Sequence, residues 1–333
     1  LLTKVENLWL HNNQIDELSP LQSMSTLTEL HLKNNEVTDI GPLVWNQGEE
    51  RPRNLLFIDL RGNKLDLTQD STDMFNVEEL RSRGVEVTTD PPVVTATQSW
   101  EPAPSLDTSR YGLAAVDYKG KAYAIGGWNG PTVLEVFDPS TESWTTLSPP
   151  PISQSGLAAA QVDGYIYTFG SYGWKETVQV YDIDQDQWSG GPDLPRGMYW
   201  ATAESIGDNI YVVGGHSSNG PLSTVYILDT TTLTWSQGSD MPTPAQIPAS
   251  AVYGGEIYAF PPNHKYSPKT DSWTPFTGAP SGHGYASEAV TVENEVYLIG
   301  GSPGSIYIAY ETTEIYDPLN DSWRTAEDLD TGR

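Results

Sequence analysis

The sequence has no cysteine, which excludes disulfides, thiolate metal sites, cysteine nucleophiles and any cysteine-linked radical cofactor. Basic residues are scarce: 17 Lys and Arg stand against 44 Asp and Glu, a formal charge of −27 over 333 residues. Nucleic acid is therefore excluded as a partner, because its phosphates need basic side chains to neutralise them. No run approaches the roughly 18 apolar residues of a membrane span. Five histidines (His11, His31, His216, His264, His283) lie scattered, without H-E-x-x-H or paired zinc spacing, so neither a metal nor a cofactor is expected. What is abundant is Gly (30), Pro (25), Tyr (18) and Trp (11), the composition of a turn-rich globular chain.

Two internal repeats organise it. In the first ninety residues L-x-x-L-x-L-x-x-N-x-L recurs: Leu8, Leu10, Asn13, Ile15; then Leu27, Leu30, Leu32, Asn35, Val37; then Leu55, Ile58, Leu60, Asn63, Leu65. Alternate leucines on a short strand point into a stacked core, and the Asn amide satisfies backbone groups at the following turn. This pattern resembles the leucine-rich repeat family in its 22-residue, bacterial internalin-like form. The segment 45–54 (WNQGEERPRN) adds six residues and is expected to bulge as a charged loop. A short helix over Met74–Arg81 and a strand at Gly84–Val87 are expected to cap the stack. The leucine-rich domain is read as 1–90 and the Pro91-Pro92 linker as 91–96.

From residue 97 the period changes. Trp100, Trp144, Trp188, Trp235, Trp273 and Trp323 stand 44, 44, 47, 38 and 50 residues apart, and in phase with them run AYAIGG, IYTFGS, IYVVGG, IYAFPP and VYLIGG. Each unit reads as four strands: a small-residue strand, an apolar strand ending in a glycine pair, an edge-ward strand, then the Trp strand. These units resemble Kelch repeats, which implies a mainly β fold: a leucine-rich solenoid fragment followed by a Kelch-type β-propeller over 97–333. Five units are visible and a sixth is begun, since WRTAEDLDTGR (323–333) repeats WEPAPSLDTSR (100–110). The expectation is a C-terminally incomplete ring of six, with Gln98–Glu101 as the outer strand of the last blade. The fourth unit is expected to be irregular, with a short third strand at His264–Ser267.

Chemistry is thinly signalled. Turns such as DPSTESW lack the glycine of sialidase Asp boxes. Asp182-Ile183-Asp184-Gln185-Asp186 lacks the glycine and distal Glu of a calcium loop, which leaves a solvated turn. Galactose oxidase, a Kelch-type enzyme, needs a Cys-Tyr cross-link that this chain cannot form.

Two surfaces carry the candidate ligand-binding residues. On the concave face of the leucine-rich repeats, Trp9, His31 and Asp59 form one column and His11, Lys33 and Arg61 a second, basic one. On the propeller, the fourth-to-first and second-to-third strand loops share a face. They hold Arg110, Tyr111, Trp128, Tyr172, Trp174, Arg196, Tyr199, Trp200, His216, His283, Tyr285 and Tyr307, with Arg333 at the same rim. Trp128, Trp174 and Trp200 are the propeller tryptophans that the blades do not need, and exposed Trp, Tyr and Arg dominate binding hot spots. The expected function is a non-catalytic binding, adhesion or assembly scaffold that takes a protein or glycan ligand, secreted or surface-displayed on a bacterium. The alternatives are a carbohydrate-active enzyme on the propeller and an intracellular Kelch adaptor. Oligomeric state is left open.

Overall fold

In a computed structural model of the chain the described residues are 4–44, 54–67, 71–89, 100–129, 132–283, 286–292, 294–302 and 309–332. The chain divides into two compact units, Leu1–Thr97 and Gln98–Arg333. The expected linker (91–96) and nearly all of the charged 45–54 loop lie outside the described residues.

In the first unit three strands, β1 (Asn7–Trp9), β2 (Glu29–His31) and β3 (Phe57–Asp59), pair in parallel, and β4 (Glu86–Thr88) closes the sheet. Leu8, Leu30, Ile58 and Val87 lie side by side in register. They point into a core with Leu27, Leu32, Val37 and Ile40. The capping helix runs over Thr72–Ser82, and the Ser71 hydroxyl accepts from the Met74 N–H at 3.0 Å to cap its first turn. The repeat asparagines do what their spacing predicts. Asn35 donates to the carbonyls of Leu10 (2.9 Å) and Leu32 (2.7 Å) and accepts from the Ile15 N–H (3.1 Å). Asn63 repeats the pattern one turn on, toward Leu32, Leu60 and Val37. Asn35 is buried, so Asn35→Ala leaves backbone groups unpartnered inside the stack. It is expected to cost about 1–3 kcal/mol, read as a lower midpoint in urea denaturation and, separately, as faster hydrogen exchange across β1–β3.

The second unit holds five four-stranded antiparallel blades. Blade 1 comprises Ala114–Tyr118, Lys121–Ile125, Leu134–Asp138 and Ser143–Thr146. Blade 2 comprises Ala158–Val162, Tyr165–Ser171, Lys175–Asp182 and Gln187–Gly190. Blade 3 comprises Thr202–Ile206, Asn209–Val213, Val225–Asp229 and Thr234–Gly238. Blade 4 comprises Ala249–Tyr253, Glu256–Phe260, His264–Ser267 and Ser272–Pro275. Blade 5 comprises Glu288–Val292, Glu295–Ile299, Thr313–Asp317 and Ser322–Thr325. The short third strand of blade 4 stands where the sequence places it.

Successive first strands pack on one another around the axis, blade 1 on 2, 2 on 3, 3 on 4 and 4 on 5. Their alanines and serines allow that approach. At the outside, each repeat Trp donates its indole N–H to the carbonyl four residues beyond the previous repeat Trp. Trp144 reaches Pro104 (2.8 Å), Trp188 Ser148 (2.8 Å), Trp235 Pro192 (3.0 Å), Trp273 Ser239 (2.8 Å) and Trp323 Thr277 (2.7 Å).

A second latch lies inside the first. In blades 2, 4 and 5 a buried Tyr on the third strand donates to an Asp five residues on: Tyr181 to Asp186, Tyr266 to Asp271, Tyr316 to Asp321. The same Asp accepts a backbone N–H from the neighbouring connector, at Ser148, Ser239 and Thr277. Within the run at 182–186 it is Asp186 that makes this latch, while residues 184–186 are exposed, as a solvated turn requires. Of the expected outer strand at Gln98–Glu101, 98–99 lie outside the described residues, and Trp100 and Glu101 are in no strand.

Candidate functional site: an aromatic rim

Backbone geometry at the mouth of the propeller sets out a platform. Where each fourth-to-first connector enters the next inner strand, one residue takes the left-handed conformation: Gly112, Gly156, Trp200, Ile247 and Ala286, with φ between 53° and 62°. These residues are chained across blades. The Gly156 N–H donates to Gly112 O (2.8 Å), Trp200 to Gly156 (2.7 Å) and Ile247 to Trp200 (2.8 Å). Glycine is needed in the first two blades, because a Cβ on Gly112 would stand 2.2 Å from the Trp128 ring and one on Gly156 within 2.9 Å of both Trp128 and Trp200. Trp and Ile at the equivalent positions hold a strained backbone, of the kind that concentrates at functional sites.

Upon this collar the connectors pair with the second-to-third strand loops, Tyr111 with Trp128 and Tyr199 with His216. The two loop sets do share one face. Their rings form one continuous surface over blades 1–3. Tyr111 stacks on Trp128 (centroids 5.4 Å, interplanar angle 18°), and Trp128 meets Tyr172 (5.8 Å) and Trp200 (6.4 Å) edge-on. Tyr199 touches Tyr172 (5.4 Å), Trp200 (4.6 Å) and His216 (5.4 Å). Tyr111 and Tyr172 are about 60% exposed and Trp174 47%, whereas Tyr199 is buried beneath them. Trp174 stands at the tip of the long second-to-third hairpin of blade 2, with φ 56°. The His216 Nδ1 atom is buried and has no hydrogen-bond partner, the one polar atom of the aromatic cluster left in that state.

Two residues expected on the rim are turned inward. The side chains of Arg110 and Glu135 are fully buried and paired. Arg110 also donates to the carbonyls of Thr108 and Ala124 (3.0 Å each). His283 is buried, with Nδ1 2.5 Å from Gly300 O and Nε2 3.0 Å from Glu314. Gln154, bonded to the Gly170 carbonyl and to Gln179, holds the same place in blade 2. The physical reason is common to all three. The second strand ends in buried carbonyls, and a polar side chain from the connector has to satisfy them. Blades 3 and 4 have Met198 and Ala245 there. Arg196 is half-buried. Tyr285, Tyr307 and Arg333 lie outside the described residues.

The leucine-rich face assembles in part. Trp9, His31 and Asp59 are in register, and Trp9, 56% exposed, stacks on His31 at 5.4 Å and 12°. His31 in turn meets Phe57 at 4.9 Å. Phe57, two residues before Asp59 and so on the same strand face, was available from strand alternation but was not singled out. His11, Lys33 and Arg61 are also in register, through the Asn12 to Lys33 and Asn34 to Arg61 backbone bonds. The ladder is less basic than expected because Arg61 grips buried Asp59 with Nε and Nη2 (2.8 and 2.7 Å). Burial pushes the Asp59 carboxyl up, but these bonds outweigh it and hold the group below its usual range.

At the axis, the Ser250 hydroxyl of blade 4 donates to Glu204 of blade 3. Burial, with Glu288 and Asp117 nearby, raises Glu204 to about 7. The unfolded chain ionises near 4.5 and the folded one near 7. This carboxyl therefore costs no stability below pH 4.5, destabilises increasingly between 4.5 and 7, and carries its full penalty above. Glu204→Gln is expected to raise Tm more at pH 8 than at pH 5; an equal rise at both would show that Glu204 is not held neutral. Among the described residues no group of three His, Asp or Glu could hold a metal ion, and no helix is long and apolar enough to cross a membrane.

Residues 112–301 match the KLHDC2/KLHL20/DRC7 Kelch-repeats domain, 283–329 the Kelch motif, and 3–45 the Leucine Rich repeats in two copies. An F-box/kelch-repeat protein of Arabidopsis thaliana is 31% identical over 124 residues, covering 34% of this chain and 31% of that protein. Kelch-like protein 23 of Homo sapiens is 30% identical over 124 residues, 34% of this chain and 22% of that protein. Spermatocyte protein spe-26 of Caenorhabditis elegans is 25% identical over 153 residues, 41% of this chain and 26% of that protein. The chain thus spans a third or less of the length of these curated relatives.

Proposed function

The chain belongs to the Kelch-repeat family, whose match over 112–301 covers more than half of it, and from that premise we propose that it is a non-catalytic protein-binding scaffold that engages its partner through the aromatic rim. The observation that carries this reading is the ring surface from Tyr111 through Trp128 and Tyr172 to Trp200, exposed at its crest and hydrogen-bonded from blade to blade at its base. Rigid aromatic planes bury large area on binding at low entropic cost, and a few of them carry most of an interface's affinity. The unpartnered His216 Nδ1 beneath the rings supplies a polar point of register.

An enzyme on this face is disfavoured. The carboxylates beneath it, Glu135 and Glu314, are held in buried pairs with Arg110 and His283 and do not face the rings. The concave strip Trp9–His31–Phe57 is a second contact surface in this reading. An adaptor role accords with the Kelch-like and F-box/kelch-repeat relatives, which are eukaryotic. A surface-displayed bacterial setting rests on the internalin-like spacing and the acidic, lysine-poor composition, and fractionating the cells that make the protein decides between them. The function is tested by probing the immobilised protein in parallel with a cell extract and a glycan array. Protein capture that is lost when Tyr111 and Tyr172 are changed to Ala supports the proposal; glycan capture without any protein overturns it.

A further inference from the structure

The clefts between successive blades are filled in different ways. Each of the first four blades carries a tyrosine on its second strand: Tyr123, Tyr167, Tyr211 and Tyr258. Between blades 4 and 5 the residue three past the repeat Trp is Phe276, whose ring packs against Tyr258 (centroids 5.3 Å) and against Tyr316 of blade 5 (5.0 Å). Lys265, opposite Tyr258 in register, lays its ammonium over the same ring and reaches the Tyr258 hydroxyl at 3.5 Å. Between blades 3 and 4 the residue equivalent to Phe276 is Gly238, and the neighbouring tyrosine has closed over it. A Cβ on Gly238 would stand 2.4 Å from the Tyr266 hydroxyl, and Tyr211 meets Tyr266 at 6.0 Å. Between blades 2 and 3 Leu228 takes the place of that tyrosine.

The cleft between blades 1 and 2 is filled in none of these ways. Leu147 stands where Phe276 does, and Val136, opposite Tyr123, stands where Lys265 does. Both are shorter. Tyr123 and Tyr181, the counterparts of Tyr258 and Tyr316, make no ring contact with each other, whereas Tyr258 and Tyr316 meet at 5.8 Å. The result is a cleft of about 550 Å3, a size that suits a small molecule. Leu147, Val136 and Ile183 give it apolar walls.

One polar group within it lacks a partner. Tyr123 is only 6% exposed, and its hydroxyl, which opens on the cleft, makes no hydrogen bond. Buried polar groups are ordinarily satisfied. The Tyr181 hydroxyl, by contrast, is committed to Asp186 at 2.6 Å. At the mouth Lys121 and Asp138 pair at 2.8 Å, so their charges offset each other.

We propose that this cleft binds a small, uncharged, planar aromatic molecule bearing a hydroxyl group. Its ring sits between Tyr123 and Tyr181, and its hydroxyl meets that of Tyr123. The occupant follows from the filled copy of the cleft between blades 4 and 5, where Phe276 supplies the ring and Lys265 the group that reaches the tyrosine hydroxyl. The cleft lies on the flank of the propeller, toward the strand ends remote from the rim, so this inference is independent of the rim's role in binding.

The test titrates the full chain with β-naphthol and follows amide shifts by NMR. Saturable shifts are expected within 121–125, 136–147 and 181–186. Leu147→Phe puts the blade 4 ring into the cleft and is expected to weaken binding about tenfold or more, because the ligand then meets a steric block. Tyr123→Phe keeps the ring and removes the hydroxyl. It is expected to bind β-naphthol about fivefold more weakly and β-methylnaphthalene, which has no hydroxyl, as the parent does. Should Leu147→Phe fail to fold, Tyr123→Phe decides alone. Shifts confined to Tyr111, Trp128, Tyr172 and Trp200 would overturn the proposal, as would the absence of saturable binding or parent-like affinity for β-naphthol in either folded variant.

Discussion

Replacing Arg110 by Ala is expected to cost about 3–5 kcal/mol, because it leaves the Glu135 carboxylate buried without its counter-charge. Both side chains are fully enclosed, and Arg110 also serves the Thr108 and Ala124 carbonyls. The loss should show in urea denaturation, with hydrogen exchange quickened first in blade 1. Replacing both members together, Arg110→Met with Glu135→Leu, removes the stranded charge and is expected to recover most of that loss. A cost below about 1 kcal/mol for Arg110→Ala would be that of an exposed ion pair and would return Arg110 to the ligand surface.

The second large effect is on binding. Tyr172→Ala and Trp174→Ala remove the exposed crest, and Trp200→Gly removes a ring while giving a left-handed position the residue that Gly112 and Gly156 already provide in blades 1 and 2. Hot-spot truncations cost about 2–4 kcal/mol each, so the triple variant is expected to bind its captured partner at least a hundredfold more weakly. Its Tm should stay within a few degrees of the parent's. Trp128 is the poorer probe, because its ring covers Gly112 and Gly156 and Trp128→Ala would disturb the collar as well as the surface. An unfolded triple variant would mean that the rings are packing rather than an interface, and unchanged affinity would place the interface elsewhere.

How much of this was legible in the sequence depends on what each residue does. The Trp phase was readable because every repeat Trp makes the same bond to the carbonyl four residues past its predecessor. The asparagines of the leucine-rich unit were readable for the same reason. Arg110 and His283 misled because charge suggests surface, and only alignment of the units shows that they share a position with Gln154, opposite Glu135, Glu314 and Gln179. Asp186 looked like an ordinary turn residue, although the recurrence of Asp271 and Asp321 five residues after a tyrosine was there to be found. The pairing of Arg61 with Asp59 could not be read, since adjacent columns on a parallel sheet say nothing of which side chains turn toward each other. The Trp128 platform was equally hidden: it depends on left-handed glycines from two different blades meeting under one ring.

The rim is tested most directly by hydroxyl-radical footprinting of the chain, alone and saturated with its captured partner. Tyr111, Tyr172 and Trp174 are open to solvent in the free protein, so the account predicts that their oxidation falls severalfold in the complex while exposed Leu233 and Leu319, in strand-linking turns on blades 3 and 5, react as before. Protection at those turns with the rim still fully reactive would contradict it.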